Sequence, residues 1–213
     1  LCREYLLNRE QIKGRAIFLS KKWKSFVLLN VNIVVRSTLL QSVFLSYLIF
    51  GTIFGSEILA ANHILLQITS LSVYALDGIA FSSEILVGEV IGQRKRQLLK
   101  KVERSSLRLG FIFSMLISGC FYFLGFLIID LITSINSVRL ICYDFIIWIS
   151  IMPVVSVFSY VYDGIFLGAA RGKEIRVAMI QSVTVFLICL AVLVPLMENI
   201  GLWASIVIFN ATR

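Results

Sequence analysis

The chain has few of the residues that carry soluble chemistry. Its 213 residues include one histidine, two prolines, four cysteines and only 12 acids against 20 bases. Cys2, Cys120, Cys142 and Cys189 stand apart without CxxC spacing, and His63 has no cysteine near it, which argues against a zinc, iron or disulfide framework. No Walker loop, Rossmann glycine pattern or Gly-x-Ser-x-Gly elbow occurs. With no nucleophile and base at usable spacing, the chain does not read as an enzyme, and no cofactor is expected.

What it has is apolar sequence, 59% of all residues. Apolar runs cover 26–50, 58–91, 107–130, 139–169 and 177–197, and a sixth, 202–213, is partial. About 20 apolar residues cross roughly 30 Å of hydrocarbon, so the expected fold is all-α, a polytopic transmembrane helix bundle of five complete spans and a partial sixth. The domain division is 1–25 as an amphipathic lead-in and 26–213 as the bundle. Starting at Leu1 rather than Met and stopping inside an apolar run, the chain reads as a piece of a longer protein.

Charge gives the orientation. Basic residues cluster before the first span (Arg3, Arg9, Lys13, Arg15, Lys21, Lys22, Lys24), between the second and third (Arg94, Lys95, Arg96, Lys100, Lys101, Arg104, Arg108) and between the fourth and fifth (Arg171, Lys173, Arg176). The alternate loops 51–57, 131–138 and 198–200 hold none. The positive-inside rule therefore places the N-terminal segment in the cytoplasm. The net charge of +8 then belongs to membrane lipid headgroups and not to nucleic acid.

Charges inside the runs are costly, about 2.5–3.5 kcal/mol each at a helix centre, and so mark the interior of the bundle. Those singled out by the sequence are Arg36, Asp77, Glu84, Glu89 and Asp163. Rises of 1.5 Å per residue from the flanking bases place Arg36, Glu84 and Asp163 in one layer, with Asp77 two turns from Glu84 toward the outer leaflet. Arg36 is read either as a buried partner of Glu84 or Asp163 or as a cargo contact. Asp163, with Tyr160 one turn earlier, is the leading candidate for holding a proton or a sodium ion. Small residues (Gly164, Gly168, Gly78, Gly88) allow close helix approach, and Pro153 is expected to kink the fourth span. Tyr74, Asp77, Gly78 and Ile79 match Tyr160, Asp163, Gly164 and Ile165 at an offset of 86 residues, a short similarity that chance also produces. Asn62 and His63 read as residues of the outer interface. Phe44, Tyr47, Tyr74, Phe81, Phe158 and Tyr160 are aromatic candidates for a cavity wall, or for plain packing.

Several of these stretches carry a family likeness. LAANHILLQ (59–67), YALDGIAFSSEILVGEVIG (74–92) with the basic QRKRQ after it, and YDGIFLGAAR (162–171) resemble helices of multidrug and toxic compound extrusion (MATE) transporters. Asn32, Arg36 and the Leu76–Gly78 tripeptide resemble the DinF-type branch. The resemblance implies one six-helix lobe of a twelve-helix antiporter in the bacterial inner membrane, exchanging drugs or organic cations for protons or sodium by alternating access. It further implies a first lobe absent from this sequence and a coupling role for Asp163. The residues Leu39–Ser42 carry no acid where some relatives have a Glu, which weakens a sodium site. A lipid-linked glycan flippase and an inactive fragment are the alternatives, the former needing more buried bases than Arg36.

Overall fold

The computed structural model of the protein describes residues 21–213, so most of the lead-in expected over 1–25 lies outside the described residues. Six α-helices follow in order: α1 (Lys21–Gly51), α2 (Ser56–Gly92), α3 (Arg96–Ile132), α4 (Asn136–Asp144), α5 (Ile146–Gly168) and α6 (Gly172–Thr212), with a short 3₁₀ turn Thr52–Phe54 after α1. Five of them are long and apolar enough to cross a membrane. The protein is a helical, multi-pass membrane bundle.

Hydrophobic runs account for the helices, and local chemistry accounts for their ends. Gly55 opens α2 at φ 97°, a backbone conformation open to glycine without penalty. At the basic end, α2 and α5 close in the same way. The Lys95 and Arg94 N–H groups donate to the carbonyls of Val90 and Ile91, and those of Arg171 and Ala170 donate to Phe166 and Leu167. Arg94 and Ala170 take the left-handed position of this cap.

The run 139–169 holds two helices. The chain turns at Phe145 (φ −104°, ψ 4°), whose N–H donates to the Cys142 carbonyl. Pro153 sits inside α5 without ending it.

α6 is in effect a hairpin. Glu198 is non-helical (φ 49°, ψ −125°) within its 41 residues, and Pro195 lies just before. A Cβ on Gly201 would lie 2.2 Å from the Leu193 carbonyl oxygen, and the Phe186 and Phe209 rings stand 5.8 Å apart. In a straight helix those rings would be separated by about 34 Å. The chain therefore doubles back, and glycine at 201 makes the reversal sterically feasible.

α2 packs on α5, α5 on α3, and α1 on α6. The tightest seam is α2 with α5. Cβ atoms at Gly164 and Gly168 would come within 2.1 Å of the Ala80 oxygen and 2.3 Å of the Glu84 oxygen. One large core surrounds Tyr47, Leu65, Ile149, Phe186, Trp203 and Phe209, and a smaller one joins Leu76, Ala80, Val157, Tyr160 and Val161.

Candidate functional site

Asp163 sits on α5 one turn before the helix ends, and only 14% of its side chain is exposed. Its Oδ2 accepts from the Nη2 of Arg36 on α1 and from the Nη2 of Arg213, which follows α6. One carboxylate oxygen thus ties three separate segments. Arg213 is the most deeply buried of the three, at 2% exposure. Its guanidinium lies over the Tyr160 ring, with Cζ 5.0 Å from the centroid, so the residue one turn before Asp163 adds a cation–π contact.

Two buried bases on one acid leave an excess positive charge, and Asp77 on α2 lies within electrostatic range of both arginines and of Asp163. Asp77 makes no ion pair or side-chain hydrogen bond among the described residues. Across the cluster, two guanidiniums balance two carboxylates. The Nε of Arg36, and the Nε and Nη1 of Arg213, have no hydrogen-bond partner among the described residues. Asn32, one turn before Arg36, is buried, and its Oδ1 likewise has no hydrogen-bond partner among the described residues.

Next to this cluster, a cavity of about 340 Å³ opens between α1, α2, α5 and α6. Gln41, Phe44, Tyr74, Ser156, Tyr160 and Asn210 line it. Tyr160 therefore touches both the cavity and the arginine. A polar clamp closes the hairpin end. Asn62 donates to Asn199 Oδ1 at 2.7 Å, and its own Oδ1 accepts from Trp203 Nε1 at 3.0 Å and from Asn199 Nδ2 at 3.2 Å.

Of the residues singled out in the sequence, Arg36, Asp163 and Tyr160 come together, with Asp77 close by. Glu84 does not join them. It is half-buried without an ion pair or side-chain hydrogen bond among the described residues, and its contribution is the backbone carbonyl against Gly168. Glu89 is exposed and accepts from Gln93. Arg36 is not the only base within the apolar segments, as the sequence suggested, since Arg213 is buried beside it. Asn62 is fully buried and hydrogen-bonded, not an interface residue, whereas His63 next to it is exposed. The two Tyr-x-x-Asp-Gly-Ile stretches occupy unlike places. Tyr160 is buried and Gly164 sits in a helix seam, while Tyr74 is 71% exposed and Gly78 has open space around it.

Long apolar helices around a buried charge cluster and an adjoining cavity define a polytopic membrane protein whose interior is built for charge. The chain belongs to the MatE family, whose model matches residues 33–193. It is 34% identical over 215 residues to the DNA damage-inducible protein F of Escherichia coli (strain K12), a match covering 98% of this chain and 47% of that protein. The chain thus spans about half the length of this curated relative. Its fold is similar to that of a MOP superfamily transporter from Pyrococcus furiosus, with a TM-score of 0.81 at 16% identity over 94% of this chain and 44% of that one.

Proposed function

We propose that this chain is the second lobe of a secondary antiporter of the bacterial inner membrane, with its N-terminal segment cytoplasmic. It exports drugs or other organic cations by alternating access, in exchange for protons or sodium, together with a first lobe encoded outside this sequence. The observation that carries the reading is Asp163 held by Arg36 and Arg213 from separate segments. A proton on Asp163 removes the charge that both guanidiniums share, and so loosens α1 and the end of α6 from α5 together. That is a switch acting on helix packing. Protons suit the site better than sodium, because the two guanidiniums that already answer the Asp163 charge repel a further cation. Flat cationic cargo fits the aromatic wall formed by Phe44, Tyr74 and Tyr160.

The test is dye efflux from cells expressing the full reading frame, comparing wild type with Asp163→Asn and Arg36→Ala at matched membrane levels. Export by wild type that stops in Asp163→Asn supports the reading. Export that persists unchanged places coupling elsewhere in the transporter.

A second reading gains from Arg213. A flippase for an acidic lipid-linked glycan needs several buried bases facing a diphosphate, and here two arginines, with three nitrogens that have no hydrogen-bond partner among the described residues, lie behind Tyr160 in the cavity wall. Absence of dye export, combined with accumulation of undecorated lipid-linked precursor in a deletion strain, would favour it.

A further inference from the structure

Where α3 meets α5, and lined by none of the charge-cluster residues, lies a groove of about 580 Å³. Lys100, Arg104 and Arg108 edge it at four-residue intervals, so they rise along one helix face over about 12 Å. Below them the wall is apolar: Leu107, Phe111 and Ile112 from α3 and Phe158 from α5, with the Phe111 and Phe158 rings 6.4 Å apart. Phe111, Ile112 and Phe158 are each more than two-fifths exposed. The one acid of the groove, Glu103, accepts a hydrogen bond from Tyr162 at 3.2 Å.

None of the three bases has an ion-pair partner among the described residues, whereas Arg36, Arg139, Arg171 and Arg213 all do. α3 is 37 residues long, about 55 Å, so its first turns must stand beyond a hydrocarbon layer of roughly 30 Å. Three unpaired cations thus sit at headgroup depth directly above an apolar channel at acyl-chain depth.

We infer that the α3–α5 groove is a binding site for an anionic glycerophospholipid of the leaflet on the basic side of the bundle. Its phosphate is held by Arg104, Arg108 and Lys100, and an acyl chain lies along Phe111, Ile112 and Phe158. A zwitterionic lipid offers the same chain but no net charge to the column, so the site discriminates by headgroup.

Native mass spectrometry of the full-length protein in detergent, titrated with phosphatidylglycerol or phosphatidylcholine, tests this. Wild type is expected to retain phosphatidylglycerol preferentially. Arg104→Gln/Arg108→Gln should weaken that retention by about 30-fold, the headgroup attraction of two bases. Lys173→Gln/Arg176→Gln, on the same basic side but outside the groove, should leave it unchanged. Phe111→Ser/Phe158→Ser keeps every base and should weaken retention as well, which covers the case in which the arginine variant does not fold. Equal loss in the Lys173→Gln/Arg176→Gln control, equal retention of phosphatidylcholine, full retention in the phenylalanine variant, or displacement by millimolar glycerol 3-phosphate would each overturn the proposal.

Discussion

Asp163 is the residue on which most depends, because it is shared. Asp163→Asn leaves two guanidiniums facing each other with no carboxylate between them, whereas Arg36→Met leaves Asp163 still paired with Arg213. The first substitution is therefore expected to cost about 3–5 kcal/mol and the second clearly less, measured as unfolding in detergent. Equal losses would show that the cluster is not shared in this way. Asn62 is the other buried polar centre. Asn62→Ala removes partners from Asn199 and Trp203 at once, and each stranded group costs about 1–3 kcal/mol. A thermal shift no larger than that of His63→Ala, at the exposed neighbouring position, would contradict the clamp. Hydropathy and depth brought Arg36 and Asp163 to notice because a charge in an apolar run is conspicuous. Asn62 was not legible in the same way, since a polar residue near a span end reads as facing headgroups and its partners lie 137 and 141 residues away. Arg213 escaped notice for a related reason: its depth is set by the hairpin and cannot be read from the run it follows.

At the scale of helices, the glycines separate by role. Gly168→Ala drives a methyl into the Glu84 carbonyl, while Gly78→Ala meets nothing within 4 Å. Alanine is intrinsically the better helix former by about 0.8–1 kcal/mol. The expected result is a lower melting temperature for Gly168→Ala and an unchanged or higher one for Gly78→Ala, and a loss at both positions would remove the distinction. The sequence marked all of these glycines as packing candidates, and only the seam between α2 and α5 assigns them. Element boundaries were legible where chemistry interrupts hydrophobicity, as at Gly55 and around Glu198. The turn at Phe145 was not, because it carries no glycine or proline and the single Asp144 before it is as compatible with a continuing helix as with a turn.

At the scale of the molecule, the asymmetry of charge makes a prediction about sidedness. In a background with the native cysteines replaced by serine, Ser134→Cys should react with a membrane-impermeant maleimide in intact cells, and Lys173→Cys only after permeabilisation. The reverse pattern would invert the proposed topology. Arg139 is the base that departs from the charge pattern. It is paired with Asp130 at 3.3 Å and donates to the Thr133 and Asp130 carbonyls, so its charge is answered locally at that end. The hairpin in α6 sets an order of events during synthesis. Arg36 and Asp163 are both in place before the returning arm is made, and they can pair as soon as α5 enters the membrane. Arg213 reaches the same oxygen only after the reversal at Glu198 has formed. The returning arm therefore docks onto a contact that already exists, and its arrival completes the cluster.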